Sequence, residues 1–157
     1  MKKLSDKGLD VLLRWESLSL KPYKDVGDKW TVGVGHLVTE EELESGMINL
    51  SSGSIPWEST LTRDQALEIL RQDLEPREDY LNGVLPEDLT QGQYDAMVLF
   101  LFNVGQANFK SSTLFKKINA GLYGQVPEQL ARWNKVKGQV VKGLTNRRNA
   151  EIALWNS

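Results

Sequence analysis

The stretch Trp15-Glu-Ser-Leu-Ser-Leu-Lys-Pro-Tyr-Lys-Asp25-Val-Gly-Asp-Lys-Trp-Thr31-Val-Gly-Val-Gly-His36 decides the fold, because the residue pattern changes period inside it. Just ahead of it and into it, Leu9, Leu12, Leu13 and Glu16 fall at i, i+3, i+4 and i+7, one face of an α-helix. Ser5 is a suitable N-cap, so a first helix is expected to run from there to about Glu16. Further on, Pro22 and the Asp25–Asp28 cluster mark turns, while Trp30-Thr-Val-Gly-Val34 is β-branched and aromatic. Thr39-Glu-Glu-Glu42 is a capping box for one short helical turn closed by Gly46, and Met47–Leu50 can add a further strand. A helix followed at once by a small irregular sheet is the expectation for the N-terminal part.

The remainder is helical in pattern. Thr62-Arg-Asp-Gln65 is a second capping box, followed by Ala66, Leu67, Leu70 and Leu74 at helical spacing. Pro76 is expected to kink or end that helix. Thr90-Gln-Gly-Gln93 opens a helix whose run Ala96–Phe102 is apolar on every side, as befits the middle of a bundle. Ser112 begins another, which Gly121 closes, Pro127 suits the first position of the next, and Thr145 to Trp155 forms the last. Trp133 and Trp155 are read as core residues. The fold class is therefore α+β: a small N-terminal β-sheet lobe over residues 1–60 and a mainly helical C-terminal lobe over 61–157, within one domain.

With 157 residues, 40% apolar and 25% charged, the chain can bury a core and has ordinary soluble composition. It has no cysteine and a single histidine, His36, so disulfides, thiolate metal sites and clustered-histidine zinc chemistry are excluded. Chemistry has to run on carboxylates, hydroxyls and amides. Val11-Leu12-Leu13, closed by Arg14, is too short an apolar run for a signal peptide or a membrane span. The net charge of −2 is unevenly placed, with six basic and no acidic residues between Arg132 and Arg148. That stretch suits an anionic polymer or simply a solvated face, and in an acidic protein it is too short to argue for nucleic acid.

Two carboxylates and a hydroxyl stand out. Glu16, Asp25 and Thr31 are separated by eight and then five residues. Glu16 occupies a position where the helical stripe asks for another leucine, and desolvation there favours a protonated acid. Asp25 sits in a hydrated turn, where the anion is at home. Carboxyl groups in contrasting environments can divide acid and base roles, which is the logic of glycoside hydrolysis. Taken singly, Glu16 reads as a surface acid, Asp25 as a turn residue and Thr31 as a β-former.

The trio is followed by Gly33-Val-Gly-His-Leu-Val-Thr39, and the whole constellation resembles the phage-type lysozymes or endolysins of glycoside hydrolase family 24. Further motifs carry the same resemblance in order: Leu61-Thr-Arg-Asp-Gln-Ala66, Leu89-Thr-Gln-Gly-Gln-Tyr-Asp-Ala96 and Phe102-Asn-Val-Gly105. Ser112-Thr-Leu114, Arg132-Trp-Asn134 and Gly143-Leu-Thr-Asn-Arg-Arg148 complete it, so the likeness spans about residues 5–155. Departures are Trp15 and Ser17, where the family usually has phenylalanine and often glycine, and a longer segment from Glu40 to Thr60.

The resemblance implies a lysozyme-like fold with a cleft between its lobes, and an N-acetylmuramidase. Such an enzyme hydrolyses the β-1,4 bond between N-acetylmuramic acid and N-acetylglucosamine in peptidoglycan and lyses the host cell. It implies Glu16 as general acid, Asp25 as the group that activates water and Thr31 as the hydroxyl that positions it, with inversion at the anomeric carbon. Leu37 and Phe102 match positions that line the saccharide cleft, and core packing explains them equally well. Arg147 matches a position near the catalytic glutamate, while His36 is read as a structural hydrogen-bonding residue. No metal or cofactor is implied. The protein is expected to act as a monomer without a membrane anchor, in the host cytoplasm until a holin or similar factor opens the way to the wall. Two other readings share the scaffold: a lytic transglycosylase, disfavoured by Asp25, and a non-catalytic wall-binding or tail domain, disfavoured by the intact trio.

Overall fold

Ser5 starts the first helix as expected: in the computed structural model, which describes residues 1–157, its Oγ accepts the Gly8 N–H at 3.0 Å. Helix α1 spans Asp6–Trp15, and its buried residues are Gly8, Val11 and Leu12. The expected stripe is thus rotated: Leu9 and Leu13 are half-buried, and Glu16 lies half-buried one residue past the helix end. Gly8 explains the rotation. A Cβ on Gly8 would stand 2.8 Å from Asp95 Cγ, so only glycine lets the helix approach that carboxylate. Asp95, 2% exposed, accepts the Ser5 N–H at 3.0 Å and Gln91 Nε2 at 2.8 Å on Oδ1, and the Ser5 hydroxyl on Oδ2. Leu4 N–H donates to buried Glu78 at 2.6 Å. These bonds fix where the chain enters the helix.

The sheet follows immediately. Strands β1 (Ser19–Lys24), β2 (Trp30–Gly33) and β3 (His36–Leu37) pair antiparallel in that order, with Tyr23 opposite Thr31 and Thr31 opposite Leu37. Helix α2 (Glu40–Ser45) carries the expected capping box from Thr39, and Gly46 ends it in the left-handed region at φ 74°. Strand β4 (Met47–Ile48) pairs with β5 (Ile55–Pro56), a strand with no sequence signal of its own. Val32, Ile48, Leu50, Trp57, Leu61, Ala66 and Ile69 form the core beneath these elements.

Helix α3 (Arg63–Val84) opens on the Thr62 capping box, with Gln65 N–H donating to Thr62 Oγ1 at 3.1 Å. Pro76 lies inside this helix and does not end it. A proline there removes one backbone bond at a cost of about 3 kcal/mol. Leu70 and Leu74 before it and Leu81 after it are at most 1% exposed, and their packing outweighs that loss. The chain divides into two compact units, residues 13–75 and residues 1–12 with 76–157. The division runs through α1 and α3.

In the second unit, α4 (Gln91–Val104) starts at the Thr90 capping box, and all of Tyr94–Leu101 is buried. Helices α5 (Gln106–Ser111) and α6 (Thr113–Asn119) follow, the latter capped by Ser112, whose Oγ accepts the Phe115 N–H at 3.0 Å. Neither α5 nor the 3-10 turn Tyr123–Gln125 was foreseen from sequence. Pro127 is the second residue of α7 (Val126–Ala131), one place later than expected. A hairpin of β6 (Lys135–Val136) and β7 (Gln139–Val140) leads to α8 (Lys142–Trp155), which starts one turn before Thr145 and packs on α4. Trp155 is buried, whereas Trp133 is half-buried, edge-on to Phe100 at 5.3 Å. The architecture is α+β, with a three-stranded and a two-stranded antiparallel sheet in the N-terminal part and a mostly helical remainder. No helix is long and apolar enough to cross a membrane.

The α4–α8 contact holds a buried charge cluster. Glu151, 0% exposed, meets Arg148 Nη2 at 3.0 Å and lies 3.9 Å from Arg147 Nε, and Arg148 also donates to Asn103 at 2.7 Å. Burial pushes the Glu151 carboxyl up to about 7, against the pull of both guanidinium charges. Removing the acid would leave two cations desolvated together. Glu151→Ala is therefore expected to cost about 3–5 kcal/mol in urea unfolding, whereas Arg132→Ala, which breaks the exposed pair with Glu128, should cost less than about 1 kcal/mol.

Candidate active site

The sheet unit carries Glu16, Asp25, Thr31, His36 and Leu37, and the helical unit carries Phe102 and Arg147. Asp25 follows β1 directly and builds a tight turn. Its Oδ1 accepts the backbone N–H of Gly27 and of Lys29, each at 2.9 Å, and its Oδ2 takes part in neither bond. Its own N–H donates to the Lys29 carbonyl at 2.9 Å, and Asp28 completes the turn in the left-handed region at φ 61°. Aspartate tolerates that conformation and can cap such a turn through its side chain, which is why the Asp25-Val-Gly-Asp28 segment folds this way.

Thr31 begins where the turn ends. It is 2% exposed, and its hydroxyl donates to the same Lys29 carbonyl at 3.1 Å. That bond uses the only proton of the hydroxyl, so towards any third group Thr31 Oγ1 can only accept. The peptide groups of Lys29 thus fasten both Asp25 and Thr31. Strand alternation puts Tyr23, Thr31 and Leu37 on one face of the sheet, with Asp25 continuing the Tyr23 side. Leu37 is 47% exposed there, so it is a surface residue of that face and not core. Tyr23, also exposed, is a neighbour that the sequence did not single out; only the register reveals it. Glu16 is half-buried just beyond α1.

In the helical unit, Phe102 is half-buried on α4, with the Arg77 guanidinium 4.9 Å from its ring centroid. The two line a pocket of about 280 Å³ together with Pro76, Leu101, Gly105 and Gln106. Arg147 is 7% exposed beside Glu151 on α8.

His36 lies on the opposite sheet face from Thr31, one register step away. Its Nδ1 meets Asp73 at 2.9 Å and its Nε2 meets Glu42 at 2.8 Å. Carboxylate oxygens accept, and neutral imidazole has a single N–H, so satisfying both bonds requires the imidazolium. Burial opposes that charge, but the hydrogen bonds and charges of Asp73 and Glu42 outweigh it and raise the His36 pKa from 6.5 to about 9. The same Glu42 Oε1 accepts the Thr39 N–H at 2.9 Å, so the capping box of α2 and the histidine share one oxygen. His36 thus makes hydrogen bonds on both ring nitrogens; the partner Asp73 was not legible because it is 37 residues away.

With the geometry described, the relatives can be placed. The family profile described as phage lysozyme matches residues 13–151, and the chain belongs to that family. It is 36% identical to an endolysin of Acyrthosiphon pisum secondary endosymbiont phage 1, the alignment covering 98% of each chain. A crystal structure of a P22 lysozyme mutant superposes with a TM-score of 0.83 at 31% identity, covering 100% of both chains. The muramidase domain of SpmX from Asticaccaulis excentricus superposes with a TM-score of 0.80 at 26% identity over 100% of this chain and 99% of that one.

The histidine clamp has a pH signature. A folded pKa above the unfolded one stabilises fully below about pH 6.5, and the contribution is lost as pH rises through about 9. The shift corresponds to on the order of 3 kcal/mol. The stability gap between the native chain and His36→Asn, measured by urea unfolding, should therefore be widest near pH 6 and nearly close by pH 10. A gap that stays constant with pH would remove the imidazolium from the account.

Proposed function

We propose that the chain is a muramidase of the endolysin type, which hydrolyses the β-1,4 bond between N-acetylmuramic acid and N-acetylglucosamine in peptidoglycan. Membership of the phage lysozyme family makes it a lysozyme hydrolase acting on the bacterial cell wall. The observation that carries the mechanism is the shared anchoring of Asp25 and Thr31 on Lys29.

In this reading Glu16 donates a proton to the leaving glycosidic oxygen, so the C–O bond breaks without expelling an alkoxide. Asp25 is held by two N–H groups on Oδ1, which leaves Oδ2 to accept a proton from water. Thr31, its own proton already given to Lys29, accepts the other hydrogen of that water. Both hydrogens of the nucleophile are then held, and a lone pair is turned towards the anomeric carbon. Water attacks from the face opposite the leaving group, the anomeric centre inverts, and the water's proton ends on Asp25 as that of Glu16 ends on the departing sugar. Leu37 supplies an apolar surface beside Thr31 on the same sheet face, suited to the C–H face of a sugar ring. Phe102 and Arg147, which lie in the helical unit, are proposed as functional residues on the resemblance alone. Passage to the wall through a holin-type opening and action as a monomer belong to the same proposal.

Glu16→Gln should lower clearing of permeabilised cells by at least about 100-fold, the scale of general acid catalysis, with the helical circular dichroism unchanged. Surviving activity would take the acid role from Glu16. Asp25→Asn should cost a similar factor, and Thr31→Val, which keeps the shape and removes the acceptor, about tenfold or more. Mass spectrometry of the products should show a reducing-end muramic acid, and a 1,6-anhydro sugar in its place would mean transglycosylation.

A further inference from the structure

The sheet unit has a pocket on the face away from Thr31. It has a volume of about 460 Å³ and is lined by Lys21, Pro22, Trp30, Trp57, Glu58 and Thr60. That size lies within the roughly 300–1,000 Å³ typical of small-molecule sites. Trp30 precedes Thr31 on β2, so alternation turns its ring to the opposite sheet face. The segment bearing Trp57 to Thr60 runs along the outer edge of β1, where the Leu61 N–H donates to the Leu20 carbonyl at 2.8 Å. The two indoles stand with ring centroids 5.5 Å apart at 50°, and Lys24 Nζ lies 5.3 Å from the Trp30 ring.

Two features are not explained by packing. Trp30 keeps 39% of its surface exposed although it sits against the core ring of Trp57. Trp57 is 5% exposed, and its indole Nε1–H is buried without any acceptor. Buried indole donors are normally paired, so an orphaned one beside a pocket asks for an oxygen from outside the chain.

We infer that this pocket binds an N-acetylhexosamine unit of the glycan strand, away from the bond being cut, and so holds the enzyme on the wall. The inference rests on the peptidoglycan reading of the preceding subsection. The chemistry selects a sugar of this kind over its competitors. A wholly apolar ligand would leave the Trp57 N–H orphaned. A simple anion gains little where Lys21 is offset by Glu58. A pyranose offers its C–H face to the electron-rich face of Trp30, hydroxyls to Glu58 and Thr60, and an acetamido carbonyl to Trp57 Nε1. That N–H is itself buried, so a carbonyl reaches it only when a side chain lining the pocket moves.

The test uses the full-length Glu16→Gln chain, so that nothing is cleaved, and chitotetraose, four β-1,4-linked N-acetylglucosamine units, at millimolar concentration. In a 1H–15N NMR titration, the Trp57 indole resonance, identified by its disappearance in Trp57→Phe, should shift with saturation. Co-sedimentation with purified sacculi should weaken about tenfold when Trp30→Ala is added to Glu16→Gln, with the melting temperature measured alongside. Trp57→Phe in the same background keeps a ring in the core and should also weaken sedimentation. If the backbone amides around Thr31 shift while the Trp57 indole does not, the pocket is not a sugar site and the muramidase reading stands. If no resonance moves and the sacculi are not bound at all, the peptidoglycan reading falls with it.

Discussion

Within the sheet unit, the backbone of a single residue fixes the relation between two side chains that sequence alone leaves six positions apart. The Lys29 carbonyl accepts the Asp25 N–H at 2.9 Å and the Thr31 hydroxyl at 3.1 Å, while the Lys29 N–H donates to Asp25 Oδ1 at 2.9 Å. The turn is closed from both ends, and the β1–β2 register follows from it, with Lys24 opposite Trp30 and Tyr23 opposite Thr31. A slip of one residue would exchange the faces, sending Thr31 to the side of Trp30 and Val32. Because Val32 is 0% exposed in the core, that slip is heavily disfavoured. Core burial on one face thus enforces the position of a hydroxyl on the other.

The same alternation sorts the sheet's residues into separate tasks. One face bears Tyr23, Thr31 and Leu37, polar or exposed, and is the face of the proposed site. The other bears Trp30, Val32 and His36, which meet the core, the pocket lined by Trp30 and Trp57, and the carboxylates of Asp73 and Glu42. His36 stands between α2 and α3 and bonds one acid from each. The charges of His36, Asp73 and Glu42 lie on the reverse side, joining the sheet to its helices.

What was legible in the sequence was what is local. The capping boxes at Thr39, Thr62 and Thr90 formed as read, because each depends on a residue three positions on. The apolar run of α4 was placed in the core by its composition alone. Failures came where distant residues decide. The face of α1 was misjudged because Gly8, silent in a hydrophobic pattern, lets the helix approach Asp95 far along the chain. Pro76 obeys a local rule that packing on both sides overrides. Strand β5 exists only as a partner for β4, and neither is longer than two residues. For the candidate site, the residue types were readable in Glu16, Asp25 and Thr31, but the role of Lys29 was not, since backbone groups leave no mark in a sequence.

A sheet of strands two to six residues long cannot support itself, since isolated short ladders are marginal in water. In this chain the deficit is met by polar fastenings that join two or three elements: the Asp25 turn across β1 and β2, and His36 across β3, α2 and α3. Ser52, which donates to Glu68 at 2.7 Å, adds another between the β4–β5 turn and α3. Such fastenings are directional, so they set positions more sharply than apolar contacts of equal strength. The His36 bonds among them also depend on protonation, which apolar contacts do not. For the proposed acceptor pair of Asp25 and Thr31, position is set by such directional bonds to Lys29 and not by apolar packing alone. In the helical unit apolar burial along α4 carries the load, and the buried Arg148–Glu151 pair is an addition to a core that already exists.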